Sequence, residues 1–393
     1  MPGKPQFSYF VSHGNVSVTR RSPIWEHPLP LDRSLSTAGG DLTLSYGEYF
    51  ETVRAFLENT GCELISRTIG ERIGPEMKPV QIRKIRIGLE KHGEFYHPAR
   101  LQVLTERGKI SFVLNVAVSD TGIRHIRDEY QYLQKLNNEF IHSFLPQVYG
   151  IGEITSADNR KISMFLGQWF ENYHEFHLTR SPSEDSNQIA VWHPRHNRFF
   201  LSFDQSQELY RQVARILAYY YNVETFSQIF PWHHAAGDFI IKIDNAGLDA
   251  KLITVRRYTP LLTNRQALES TAGSPELILQ ALLIFFLSLS IRTRLDRLDG
   301  VGDIVWADPS VVGPTLTGFM EGLALKPPVQ ILPDTIERCF RYYLSACTRQ
   351  DLYDLVTAVI NVYDPDTPGH SVLKQNVPEH VETLSGVIQK FIS

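Results

Sequence analysis

The stretch Pro231-Trp232-His233-His234-Ala235-Ala236-Gly237-Asp238-Phe239-Ile240-Ile241 sets two histidines, a glycine and an aspartate between an amphipathic segment and an apolar run. An imidazole titrates near neutral pH and can act as a general base. A carboxylate next to an apolar strand can ligate a hard cation such as magnesium. His233 and Asp238 are therefore the first candidates for chemistry. The pairs His174-x-x-His177, His193-x-x-His196 and His233-His234 add candidate zinc or iron ligands. No His-Glu-x-x-His spacing accompanies them, and local capping or stacking is the simpler account. Asp296, Asp299, Asp303 and Asp308 alternate with Arg292, Arg294 and Arg297. That run reads as a helix end and loop laced with ion pairs, or as a carboxylate cluster for a cation or basic partner. No serine or cysteine sits in a nucleophile motif.

Several elements must position these groups. The chain has 393 residues, 42% of them hydrophobic and 21% charged, with a net charge of −4. Such a composition suits an ordinary globular protein of two or three structural units. It lacks the basic surplus of a nucleic-acid binder. Cys62, Cys339 and Cys347 are odd in number and form no CxxC pair, so a reducing, cytoplasmic setting is expected. No secretory signal follows the basic residues near the N-terminus. The most apolar run, residues 277–291, is shorter than the roughly 20 residues of a membrane span. It is expected to be a buried helix, and no membrane association is expected.

Residues 1–44, rich in Pro, Ser and Gly, are expected to form a loose arm. A helix follows over 46–59, with Tyr49, Phe50, Val53, Phe56 and Leu57 on one face. Residues 79–119 alternate as three antiparallel strands, at 82–87, 100–105 and 109–119. The first two are joined by the charged and aromatic loop 90–98, which suits either a ligand lid or a structured hairpin. A helix from Ile123 to Leu133 carries Glu129. A short strand after 144–150 and a stronger one at 162–166 lead into a linker over 168–173. Beyond it the spacing predicts a loop at 180–188, a surface turn at 192–198 and a long helix at 204–221. A hairpin at 239–256, the helix at 277–291 and helices near 336–346 and 352–360 complete the series.

That order of three strands, a helix, two strands, a linker and a mainly helical half with one hairpin resembles the protein-kinase-like superfamily. The nearest relatives in pattern are the aminoglycoside and choline phosphotransferases. The resemblance implies an α+β, two-lobed fold with a small antiparallel-sheet N-lobe, a helical C-lobe and an N-terminal extension. Expected boundaries are 1–78, 79–170 and 171–393. It also implies ATP and magnesium as candidate cofactors and a small-molecule ligand or a protein as partner.

Mapped residue by residue, the pattern departs from the family. Asn115 stands where a strand lysine would hold phosphates, and it brings no charge. Glu129 suits the glutamate that orients that lysine. The loop before the second strand has Gly93 alone, among Lys91, Phe95, Tyr96 and Pro98, where several glycines would wrap phosphate. Gln168 and Glu171 fall in the hinge. The family's catalytic loop reads His-Gly-Asp-Leu-His-Pro-Gly-Asn. Against it, His233 takes the catalytic aspartate's place and Asp238 that of the metal-binding asparagine. Thr254 replaces the second metal-binding aspartate, with Arg256 beside it. The nucleotide- or ligand-binding set expected is thus Lys91, Asn115, Glu129, Gln168, Glu171, Thr254 and Arg256, with Asp238 as metal ligand. So many departures favour a pseudokinase acting as a ligand-binding or regulatory module. The alternatives are a phosphotransferase using His233 as base and a histidine-based metalloprotein.

Overall fold

A computed structural model describes residues 5–11, 16–30, 44–73, 81–93, 95–156, 159–180, 187–193, 196–233, 237–261, 274–300 and 302–392. The chain is mixed α+β, as the sequence predicts, and divides into two compact units, Met1–Glu171 and Asn172–Ser393.

The first unit is built on one sheet. Its strands are β1 (Gln6–Val11), β2 (Val16–Val18), β3 (Ile82–Leu89), β4 (Ala99–Thr105), β5 (Gly108–Ala117), β6 (Val148–Thr155) and β7 (Lys161–Gln168). Their spatial order is β2-β1-β3-β4-β5-β7-β6. Every pairing is antiparallel except β1 with β3. Period-two alternation sends Ile85 and Ile87, Leu101 and Val103, Phe112 and Leu114, and Met164 and Leu166 to one face. There they meet Tyr49, Phe50, Val53 and Phe56 of α1 (Tyr46–Phe56). A capping box between Ser45 and Glu48 starts that helix. A wide helical turn at Leu57–Gly61 joins it to α2 (Cys62–Ile73).

Helix α3 (Asp120–Glu139) contacts β5, β6 and β7. The Ser119 hydroxyl caps it by accepting from Gly122 N–H at 3.0 Å. Ile126, Leu133 and Leu136 line its buried stripe, and Glu129 is buried with them.

The described part of the N-terminal segment, residues 5–11 and 16–30, packs on the first unit with more order than the loose arm expected. Tyr9 and Trp25 join Phe50 in an aromatic cluster, with centroid separations of 5.5 Å for Tyr9–Trp25 and 5.1 Å for Tyr9–Phe50. A Cβ added to Gly47 would lie 2.2 Å from the Trp25 ring. The alternation of Phe7, Tyr9 and Val11 that seats β1 spans only one short strand, too brief to stand out among turn-forming residues.

The second unit contains more strand than expected. β8 (Phe176–Arg180), β9 (Asn187–His193) and β10 (His196–Phe200) form an antiparallel sheet. Its first two strands flank the loop expected at 180–188, of which 181–186 lie outside the described residues, and β9 and β10 run into the surface turn expected at 192–198. Phe176, Leu178, Ile189, Ala190 and Val191 are its buried hydrophobic residues, and no single strand carries more than three of them. Next come α4 (Phe203–Tyr220), β11 (Ser227–Ile229), the hairpin β12 (Phe239–Asp244) and β13 (Gly247–Leu252), and β14 (Tyr258–Pro260), which pairs with β11. α5 (Pro275–Arg292) has a mean hydropathy of 1.6, enough by length and composition to cross a membrane, and 61% of it is buried inside the protein. It is followed by β15 (Leu295–Arg297) and β16 (Ile304–Trp306), a hairpin where a loop was expected. Helices α6 (Val312–Ala324), α7 (Ile336–Ser345), α8 (Arg349–Asn361) and α9 (His370–Ile392) complete the unit.

α4 and α6 touch backbone to backbone through glycine. A Cβ on Gly318 would sit 1.8 Å from the Arg211 carbonyl oxygen, and one on Gly322 would sit 2.5 Å from that of Arg215. Backbone cannot swing aside as a side chain can. Gly318→Ala is therefore expected to force the helices apart at a cost of about 1–3 kcal/mol. A urea midpoint equal to that of the wild type would contradict this packing.

Candidate functional site

Asp238 is the last residue before β12, and its surroundings follow from the hairpin register. Phe239 opposes Leu252, and Ile253 N–H donates to the Asp238 carbonyl at 2.8 Å. This fixes the chain after β13 beside Asp238, so Arg256, 18 residues away in sequence, reaches back to it. Its guanidinium makes a short ion pair with Asp238 Oδ2. His233 N–H donates to the same oxygen at 2.8 Å, and His233 Nδ1 lies 3.4 Å from it. The Asp238 side chain is 2% exposed, against 20% for Arg256 and 54% for His233. Burial by itself would raise the Asp238 carboxyl's pKa. The His233 hydrogen bond and the Arg256 charge outweigh it and hold the group below the usual carboxylate range.

The carboxylate proposed as a metal ligand thus carries a guanidinium on one oxygen. A magnesium ion at that oxygen would have to displace a buried ion pair and tolerate a neighbouring cation. Thr254 is half-buried in the stretch between Ile253 and Arg256. His234 lies outside the described residues. No group of three or more His, Cys, Asp or Glu side chains able to hold a metal occurs among the described residues. His174 exchanges backbone hydrogen bonds with Ile241, and the His177 ring packs edge-on against Trp192 at 5.5 Å. The side chains of His193 and His196 lie outside the described residues.

In the first unit, Asn115 sits on β5 opposite Phe165 and makes no side-chain hydrogen bond among the described residues. Glu129, 3% exposed, accepts a short hydrogen bond from the Tyr96 hydroxyl. The loop that carries Tyr96 is pinned to both helices. Phe95 packs on His125 of α3 at 3.9 Å, and the buried His97 gives its carbonyl to Tyr49 of α1 at 2.9 Å. His97 N–H also donates to Val116 at 2.8 Å, while Gly93 N–H donates to Tyr96 O at 3.1 Å. A Cβ on Gly122 would lie 2.2 Å from the Phe95 carbonyl oxygen, so the loop seats where α3 has no side chain. Lys91 lies half-buried in the same loop.

No protein-family model matches this chain, and no curated protein does. Among solved structures it is similar to one described as "WaaP in complex with acyl carrier protein". The identity is 11% over 76% of this chain and 85% of that one, with a TM-score of 0.26. At that score the likeness decides nothing about site or chemistry.

Gln168 and Glu171, expected in a hinge, both have partners within the first unit. Gln168 Oε1 accepts from Gln147 N–H at 3.2 Å. Glu171 accepts from Arg100 at 2.6 Å, and the Arg100 guanidinium lies 4.6 Å from the Trp169 ring centre. The structure therefore joins His233, Asp238 and Arg256, while Glu129, Gln168 and Glu171 each have a partner outside the expected set. Tyr96 and Arg100 are the residues sequence reasoning passed over as individual groups. The density of aromatics in loop 90–98 was the available signal for Tyr96. Nothing in the sequence singles out Arg100, a strand arginine among many.

Proposed function

We propose that this protein is kinase-like with a degenerate catalytic centre, acting as a small-molecule- or protein-binding regulatory module rather than a phosphotransferase. One observation carries the reading: two carboxylates at family positions, Glu129 and Asp238, are already engaged by Tyr96 and Arg256. Phosphoryl transfer needs cations bridging the phosphates, held by free carboxylates and helped by a lysine. Here Asn115 supplies no charge and Arg256 occupies the place a cation would take. The order of elements supports the kinase-like part: β3-β4-β5, α3, β6-β7, then a mainly helical unit with the hairpin β12-β13. The test is incubation with labelled ATP and candidate small-molecule acceptors, with and without magnesium. The expected result is no magnesium-dependent transfer or hydrolysis. Magnesium-dependent turnover would end this reading.

A second reading rests on His233. Its exposed imidazole lies beside a buried carboxylate, an arrangement that orients a general base. In that case the protein is a phosphotransferase with altered catalytic residues. Any turnover found should then fall sharply in His233→Ala, and unchanged turnover removes the idea.

A further inference from the structure

We propose that His92 and His97 form a two-imidazole site for a divalent transition-metal ion, which staples loop 90–98 beside α1. Neither residue belongs to the histidine pairs that stand out in the sequence. Their spacing of five within a loop matches no metal motif, and only the folded loop brings their rings together. Glu90 N–H donates to Pro98 O at 3.0 Å, and Gly93 N–H donates to Tyr96 O at 3.1 Å. These ties close the loop like the end of a hairpin, and the two histidines meet across it. Their Nδ1 atoms lie 3.2 Å apart, with ring centroids 5.2 Å apart and planes at 71°.

Two imidazole nitrogens bound tetrahedrally to one zinc ion, each at about 2.0–2.1 Å, stand roughly 3.3 Å from each other. The separation of His92 and His97 has that bite. Both rings are also held by their surroundings. His97 is 1% exposed; its N–H donates to Val116 O at 2.8 Å, and its carbonyl accepts from the Tyr49 hydroxyl at 2.9 Å. His92 is exposed, and its Nε2 lies 3.2 Å from the Tyr46 hydroxyl, with the two rings edge-on at 5.9 Å. When Nε2–H donates to the Tyr46 oxygen, the His92 Nδ1 lone pair faces His97. A partner behind the ring fixes its orientation and tautomer, as carboxylates and carbonyls do behind metal-bound histidines. Both ligands are placed before an ion arrives, which reduces the ordering cost of binding.

Without metal, the facing nitrogens share one proton, donated by His97 Nδ1–H. With metal, that proton sits on His97 Nε2 and both Nδ1 atoms ligate, so the rings stay neutral. Solvent reaches the pair from the exposed His92 side and supplies the remaining ligands. The site therefore does not require the four protein ligands of a closed structural centre. Imidazole nitrogen selects zinc, nickel or copper over magnesium and calcium, which take oxygen. The pair uses neither Glu129 nor Asp238, so it stands apart from the kinase-like reading.

Calorimetric titration of the chelator-stripped full chain with zinc, nickel and magnesium chlorides tests the site. Saturable binding of zinc and nickel is expected, and none of magnesium. His92→Ala, at an exposed position, should weaken zinc binding by about tenfold or more, since loss of a mere supporting partner costs that much. His97→Gln should do the same, with circular dichroism to check that both variants fold. His142→Ala, an exposed histidine outside the loop, should match the wild type. No saturable binding of zinc or nickel would mean that the two rings share a hydrogen bond only, and would overturn the proposal. Unchanged zinc affinity in folded His92→Ala, or magnesium binding as tight as zinc, would overturn it as well.

Discussion

Arg256→Met is expected to lower the free energy of unfolding by about 3–5 kcal/mol, because it strands the buried Asp238 carboxylate without its counter-charge. Asp238 is 2% exposed, so water cannot take over from the guanidinium. Among the described residues only His233 then remains on that oxygen, through its N–H and its Nδ1. Asp238→Asn combined with Arg256→Met removes both charges and should recover most of the loss. Urea unfolding of the two single variants and the double variant measures the coupling. Equal midpoints for Arg256→Met and the double variant would mean that the pair is not a buried electrostatic unit. The pH dependence has a defined sign. The Asp238 pKa is depressed in the folded state, so the stabilisation is fully present above the ordinary carboxylate range and is lost as pH falls through the folded value. The same measurement bears on function, since a carboxylate this firmly paired has no spare charge for magnesium.

The second large effect belongs to the polar cluster where α5, β16 and α9 meet. Arg294, 1% exposed, donates twice to Ala307 O, pairs with Glu379 and lies 4.5 Å from the Trp306 ring centre. Its Nη1 also lies 3.3 Å from His380 Nδ1, and His380 Nε2 is 3.0 Å from Ser290 Oγ. Burial first, and then the Arg294 charge, push the His380 pKa down to about 3. The ring stays neutral in the fold and gains a proton only on unfolding. Between the ordinary histidine value and about 3, the unfolded chain binds the extra proton, so stability must fall as the solution is acidified. The contribution is about 1.4 kcal/mol per pH unit within that window and vanishes above it. His380→Gln should flatten this part of the stability curve by one proton's worth relative to the wild type. An identical slope in the two proteins would show that His380 titrates normally.

Much of this architecture is readable from local pattern. The strands at 82–87, 100–105 and 109–119, the helix bearing Glu129, and the helices at 204–221, 277–291, 336–346 and 352–360 all emerge close to those positions. Their signal is periodic and repeated, and the buried face of each is long enough to register. β8, β9 and β10 escaped because each is short and carries few buried residues, so only pairing makes them strands. β1 escaped for the same reason.

The site divides along the same line. Residue type by itself determined that Asn115 and Thr254 carry no charge and that His233 is not a carboxylate. Only the tertiary structure decided where the remaining charges go. Sequence spacing is silent about which side chain meets a carboxylate across a hairpin or a helix face. The β12–β13 register brings Arg256 to Asp238 across 18 residues, and the seating of loop 90–98 on α3 brings Tyr96 to Glu129 across 33. Partner choice in a buried site is set by the long-range packing that removes competing water, and that packing exists only once the chain has folded.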